Sequence, residues 1–295
     1  MKKMSIEING IEKSYKNEKG KRIKVLNDIT LKFEENKIYG LLGRNGAGKT
    51  TLLNIISNRC FPDDGAITIN HEISVENVIA QKQVFMTSEA NMYPDNFRVT
   101  DIFKWTDKFY PDFNINKAVK ISDKFGLDIK KKFKALSTGY KTIAKQITAI
   151  ANNVPYIFLD EPVLGLDANH RELLYKIIIE EYAENPRTFV IATHLIEEVT
   201  NLLEEVIIIN DGKIIENDSV ENLMQKGYTV TGRAELVDKF IKNKNVIGTD
   251  CIGSLKAAYI LGTENTMLMP DGLEITGLNL QKLFIVMTGS REEQI

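Results

Sequence analysis

The stretch "GRNGAGKTT", Gly43 to Thr51, decides how the rest of the chain is read. It fits the pattern G-x-x-x-x-G-K-[ST], and its setting is the one that pattern needs. Before it, "IYGLLG" (Ile38 to Gly43) is almost continuously apolar, as a strand buried on both faces of a parallel sheet would be. After it, "TTLLNIIS" places Leu52, Leu53 and Ile56 at helical spacing. Gly46 and Gly48 can take backbone angles closed to other residues, so successive N–H groups converge on a phosphate. The helix that follows adds its positive N-terminal end. Lys49 would reach the β- and γ-phosphates and the Thr50 hydroxyl would bind Mg²⁺. Gly43, Asn45, Gly46, Gly48, Lys49, Thr50 and Thr51 are therefore candidate nucleotide-binding residues.

Two further apolar strands end in chemistry-bearing residues. "YIFLDEP" delivers Asp160 to a strand's C-terminal edge, where α/β proteins bind ligands, and Asp160 is a candidate to hold Mg²⁺ through water. Glu161 follows and precedes Pro162, which favours an extended backbone at Glu161. That conformation would aim its carboxylate at a water attacking the γ-phosphate. "TFVIATH" ends in His194, which can reach the same phosphate from a parallel strand. Glu161, His194 and Lys49 are the candidate catalytic residues, whereas His71 and His170 lie in polar stretches and receive no role.

The flanking sequence gives the architecture. Ile6 and Ile8, then Ile29, Leu31 and Phe33, alternate with polar residues as half-buried strands do. Residues 89–151 read as mostly helical, with turns at Pro94, Pro111 and Gly126. "VIIINDGKIIEN" places Asp211-Gly212 between two apolar runs, a hairpin signal. Strands alternating with helices predict a mostly parallel sheet covered on both faces. Near Ser219 the pattern changes to short strands ("YTVT", "AAYIL") and short helices. The last helix is capped by Asn279, carries Leu280, Leu283, Phe284 and Met287 on one face, and stops at Gly289.

Bulk properties exclude several classes. The 295 residues are 43% hydrophobic and 26% charged, the profile of a globular protein. A net charge of -2 argues against non-specific nucleic-acid binding. The two cysteines, Cys60 and Cys251, are far apart and read as reduced, partly buried thiols; the three histidines do not cluster. The longest apolar runs fall far short of the roughly 18 residues needed to span lipid. "MKKMSIEING" lacks a signal peptide's apolar core, so a cytosolic compartment is expected.

In order along the chain stand the phosphate loop, "LSTGYK" (Leu136 to Lys141), "YIFLDEP", "LGLD" and a strand-end histidine. This set resembles the ATP-binding subunits of ABC transporters from Lys3 to about Glu216. The resemblance implies a P-loop NTPase core, an N-terminal antiparallel β subdomain, a helical subdomain inserted at about 89–151, and a small C-terminal α+β extension. The corresponding domains are an ATP-binding domain, 1–218, and an accessory domain, 219–295. It further implies ATP and Mg²⁺ as cofactors, a membrane permease and a second ATP-binding subunit as partners, no nucleic acid, and a place on the cytoplasmic face of the membrane.

On the same resemblance two subunits join head to tail, so Ser137 and Gly139 contact the γ-phosphate in trans. Asp167 belongs to the loop coupling the two sites. Tyr15, in "KSYK", matches the aromatic that stacks on adenine, with an edge-strand tyrosine as the competing reading. Three departures stand out. Thr138 replaces a glycine and Tyr140 a glutamine in the "LSGGQ" pattern. Ser88, followed by Glu89, occupies the place of a metal-facing glutamine, leaving that role to water or to Glu89.

The tail "GLNLQKLFIVMTG" resembles the C-terminal extension of ATPases serving small bacterial exporters, including those for drugs, antimicrobial peptides and amphipathic toxins such as phenol-soluble modulins. A stabilising cap and a regulatory domain both stand as readings of it. "KKKFK", Lys130 to Lys134, reads as a solvated loop or as a contact with anionic lipid or an acidic permease loop. The expected function is ATP hydrolysis driving export. The altered signature and absent glutamine motivate a second reading, a binding or regulatory module with slow or no hydrolysis. A DNA- or ribosome-acting relative ranks last, since the chain has one phosphate loop and no sustained heptads.

Overall fold

The computed structural model describes residues 4–263 and 271–289. Lys2 and Lys3 of the N-terminal stretch, residues 264–270 and residues 290–295 lie outside the described residues. The chain divides into two compact units. One holds Met1–His194 with Ile209–Ile214, the other Leu195–Ile208 with Ile215–Ile295.

The first unit opens with the antiparallel pair β1 (Ser5–Lys16) and β2 (Arg22–Glu34). Ile6 faces Phe33, Ile8 faces Leu31 and Ile11 faces Ile29, so the alternating apolar residues share one buried face. The chain continues through β3 (Ile38–Leu42), α1 (Lys49–Ile56), β4 (Asp64–Ile69), β5 (Glu72–Ile73), the single turn α2 (Val78–Gln81) and β6 (Val84–Thr87). β4 and β5 complete the antiparallel sheet in the order β2-β1-β4-β5.

Three helices follow: α3 (Val99–Phe109), α4 (Ile115–Lys124) and α5 (Thr138–Ile150). α3 buries Val99, Ile102, Phe103 and Thr106, the stripe that 3.6-residue periodicity places on one side. Asn114 caps α4 by accepting from Lys117 N–H, and Ser137 caps α5 by accepting from Tyr140 N–H. Then come β7 (Tyr156–Asp160), α6 (Ala168–Glu184) and β8 (Thr188–Thr193).

Strands β3, β8, β7 and β6 lie side by side, all parallel. Every residue of β3, β7 and β8 is buried, which is why their sequences are unbroken apolar runs. The register aligns Leu42 with Thr193 and Asp160 with Ala192, so these strands end at one level. Whatever follows them meets at one sheet edge.

A hairpin, β9 (Glu205–Asn210) and β10 (Lys213–Ser219), turns at Asp211 and Gly212 with φ of 46° and 70°. Both values are left-handed, the requirement of a two-residue hairpin turn.

In the second unit α7 (Ile196–Val199) precedes the hairpin and α8 (Val220–Gln225) follows it. Next are β11 (Gly227–Arg233), α9 (Ala234–Phe240), β12 (Asn245–Ile252), β13 (Leu255–Leu261), β14 (Leu273–Gly277) and α10 (Leu280–Thr288). The four strands form an antiparallel sheet in the order β12-β13-β11-β14. Val237 of α9 packs with Tyr228, Val230, Ala258 and Ile260 of that sheet, giving this unit a small core of its own. Asn279 caps α10 through Lys282 N–H, and Leu280, Leu283 and Phe284 are buried. Cys60 is half-buried, but Cys251 is exposed, on a β12 segment whose side chains face outward.

Candidate nucleotide site

The loop between β3 and α1, expected from its sequence to hold phosphate, is built on glycine backbone conformations. Gly46 has φ of 82° and Gly48 of 111°, both outside the range of ordinary residues. Space restricts Gly48 as well: a Cβ there would lie 2.7 Å from Leu26 Cδ2 and 3.0 Å from the Val25 carbonyl. At Gly43 a Cβ would lie 2.6 Å from the Ile209 carbonyl. α1 begins at Lys49, so Thr50 and Thr51 stand in its first turn with unpaired N–H groups beside them.

Lys49 is 6% exposed, and its Nζ donates to the carbonyls of Gly43 at 2.6 Å and Arg44 at 3.2 Å. It also lies 3.9 Å from Glu161 Oε1. Burial pulls its ammonium below the usual lysine range, while Glu161 and Asp160 act in the opposite direction.

Thr50 and Asp160 meet across the site: Thr50 Oγ1 donates to Asp160 Oδ2 at 2.8 Å. Asp160 is 3% exposed, and its other oxygen, Oδ1, is buried with no hydrogen-bond partner. Burial raises its pKa, against the Thr50 hydrogen bond that lowers it. An orphaned carboxylate oxygen beside a hydroxyl is a hard oxygen donor set, so these residues fit Mg²⁺.

Glu161 departs from its sequence reading. Its φ is 46°, left-handed rather than extended, despite Pro162. The ladder explains this: Glu161 N–H still donates to the Ala192 carbonyl at 2.8 Å, and the chain must turn sharply directly afterward. The carboxylate is then fixed on both oxygens. Thr193 Oγ1 donates to Oε2 at 3.0 Å, and His194 Nδ1 lies 2.9 Å from Oε1. A left-handed non-glycine residue held by such a network is characteristic of functional sites.

Of these groups Thr50, Asp160 and Glu161 line a cavity of about 600 Å³, together with Tyr15, Arg59 and Ser88 among others; Lys49 and His194 are not in its lining. Tyr15 is 45% exposed, with its hydroxyl 3.9 Å from Cys60 Sγ. Arg59 escaped sequence reading because nothing in "SNRCF" marks it. Its Nη2 donates to the Met86 carbonyl at 2.7 Å and its Nη1 to Ser88 Oγ at 3.4 Å.

Ser137, Gly139 and Asp167 do not line that cavity. They stand at the start of α5 and just before α6, where these two segments pack together. A Cβ on Gly139 would stand 2.8 Å from the Gly165 carbonyl, and Thr142 Oγ1 donates to the Leu164 carbonyl at 3.0 Å. Asp167 caps α6 by accepting from His170 N–H at 2.9 Å, and its Oδ2 lies 2.8 Å from His170 Nδ1. The backbone bond from His170 is the main reason its carboxyl titrates below the usual range. The His170 ring centroid is 5.9 Å from that of Tyr140. His170 thus bridges the signature-like loop and Asp167, a pairing across thirty residues of sequence that no local signal announces.

Comparison with known proteins places the chain in a family. A model of the ABC transporter family matches residues 26–164. The chain is 29% identical over 256 residues to the ABC transporter ATP-binding protein YtrB of Bacillus subtilis, covering 85% of this chain and 83% of that protein. It is 31% identical over 214 residues to the uncharacterized ABC transporter ATP-binding protein MJ1023 of Methanocaldococcus jannaschii, covering 69% and 75%. Among solved structures, the ATP-binding subunit of an ABC transporter superposes with a TM-score of 0.65 at 20% identity, covering 74% of this chain and 91% of that one. The ATP-binding cassette MJ0796, solved as a dimer bound to ADP and Pi, superposes with a TM-score of 0.64 at 22% identity over 73% and 98%. The chain has the ABC ATPase fold and belongs to the family of ABC transporter ATP-binding proteins.

Proposed function

We propose that this chain is the ATP-hydrolysing subunit of a bacterial exporter, with residues 1–218 as the ATP-binding domain and 219–295 as an accessory domain. The observation that carries the hydrolytic reading is the pairing of Asp160, one oxygen orphaned beside the Thr50 hydroxyl, with a neighbouring Glu161 fixed by Thr193 and His194.

In this reading Lys49 and the N–H groups at the start of α1 bind the β- and γ-phosphates, and Tyr15 stacks on adenine. Thr50 and Asp160 would hold Mg²⁺, which would supply positive charge to the phosphate oxygens. Glu161 accepts the proton of the attacking water. His194, with Nδ1 2.9 Å from Glu161 Oε1, orients that carboxylate and presents its ring to the γ-phosphate. Most of the rate comes from positioning and charge stabilisation. Ser137 and Gly139 complete the site of a second subunit, with Asp167 linking the two.

An apolar groove of about 530 Å³, lined by Phe85, Tyr93, Phe97, Trp105 and Phe109 among others, is the proposed seat for the permease. Trp105 and Phe109 are 46% and 64% exposed, and a second cavity shares Phe85, Tyr93 and Tyr110 with the groove and Arg59, Ser88 and Met92 with the nucleotide cavity. The exporter assignment is supported by the likeness of the tail to the extensions of ATPases serving small bacterial exporters. The test is phosphate release from Mg-ATP by the purified chain, alone and with its co-purified permease in vesicles. The proposal expects Mg²⁺-dependent turnover that the permease accelerates; absence of both ATP binding and phosphate release would overturn it.

A further inference from the structure

Residues 87–90 stand where the sequence lacks the metal-facing glutamine, yet two cations and an amide hold this segment. Lys145 Nζ donates to the carbonyls of Ser88 at 3.0 Å, Glu89 at 2.7 Å and Ala90 at 3.1 Å. The Lys145 side chain is 8% exposed. Three acceptors match the three donors of an ammonium, so the buried charge is satisfied only while the segment keeps this turn. Beside it, Gln146 Oε1 accepts from Thr87 Oγ1 at 3.3 Å. From the other side Arg59 binds Ser88 Oγ and the Met86 carbonyl.

The two cations belong to different elements. Arg59 follows α1, which starts at the phosphate loop. Lys145 lies on α5, two turns beyond the Ser137 cap. Arg59 lines both the nucleotide cavity and the adjoining cavity of about 390 Å³; Lys145 lines the latter, which opens on the aromatic groove. An anion in the nucleotide cavity would compete with two neutral oxygens for the Arg59 guanidinium, and an anionic acceptor adds a charge–charge attraction that the neutral oxygens lack. That difference is what a ligand needs to shift a conformational equilibrium.

We propose that Arg59 and Lys145 turn residues 87–90 into a hydrogen-bonded strap that reports nucleotide binding to α5 and to the aromatic groove, in place of the absent glutamine. Lys145 is the positioning residue. The proposal rests on the reading of the cavity beside Thr50 and Asp160 as the ATP site.

Trp105, the only tryptophan of the chain, lies in the groove between Phe97 and Phe109, with ring centroids 6.4 and 6.1 Å away. Its emission therefore reads the groove directly. The full chain is titrated with the Mg²⁺ complex of a non-hydrolysable ATP analogue, following Trp105 emission, with the analogue Kd measured separately by calorimetry. In the natural protein the emission change should saturate with binding. Lys145→Met should keep Kd within about threefold, a change under 1 kcal/mol, and lose most of the emission change; Lys145→Arg should restore it. If Lys145→Met does not fold, Lys145→Gln, with two donors for three carbonyls, carries the same comparison. A full Trp105 response in the Met or Gln variant overturns the strap, as does a silent Trp105 in natural protein that binds the analogue. No analogue binding by the natural protein would instead overturn the ATP reading itself.

Discussion

Replacing Gly48 by alanine separates two demands that the phosphate loop makes on one residue. Gly48 has φ of 111°, and a Cβ there meets Leu26 Cδ2 at 2.7 Å and the Val25 carbonyl at 3.0 Å. Gly46, two residues earlier, has φ of 82° but open space around its missing Cβ. Backbone strain of this kind costs about 1–3 kcal/mol for a side-chain-bearing residue. Overpacking adds about 1–3 kcal/mol, and the Val25 carbonyl, unlike the Leu26 methyl, cannot rotate away. Gly46→Ala should therefore cost only the strain, and Gly48→Ala about 2–6 kcal/mol in all. Urea and thermal unfolding of the ligand-free variants, followed by circular dichroism, measures both. The reasoning is refuted if Gly48→Ala is no more destabilising than Gly46→Ala.

Three other substitutions probe separate parts of the site. Asp160→Asn should stabilise the ligand-free protein near neutral pH while abolishing its stabilisation by Mg-ATP. Burial raises the Asp160 pKa, so the carboxylate's cost is present above that pKa and fades as pH falls through it; the thermal advantage of the variant should shrink in the same direction. Gly139→Ala places a methyl 2.8 Å from the Gly165 carbonyl and should cost about 1–3 kcal/mol in thermal unfolding, showing that this glycine serves the contact with Gly165. Tyr15→Ala should weaken ATP binding by about 1–3 kcal/mol, the worth of an aromatic–base stack, with Tyr15→Phe nearly neutral in calorimetry.

Much of the core was legible because its signals are local. "IYGLL", "YIFLD" and "TFVIAT" are short, nearly continuous apolar runs bounded by turn signals, as interior parallel strands are, and their ends place Gly43, Asp160 and His194 at one sheet edge. The Asp211-Gly212 turn was legible for the same reason. Glu161 was not: proline bias is a local preference, and here the Ala192 ladder bond and the turn after it prevail. The contacts of Arg59, Lys145 and His170 arise from pairings 27 to 57 residues apart or from packing between helices, and no single sequence carries a signal for them.

The central claim, that Glu161 is the base of an ATP-hydrolysing site, is tested most directly by single-turnover phosphate release from Mg-ATP by the natural chain and by Glu161→Gln. Glutamine keeps the shape and an acceptor for Thr193 but cannot take a proton. The account predicts ATP affinity little changed and a rate lowered by about 10²–10⁴-fold, the contribution of a positioned general base. Near-natural turnover in Glu161→Gln would contradict it.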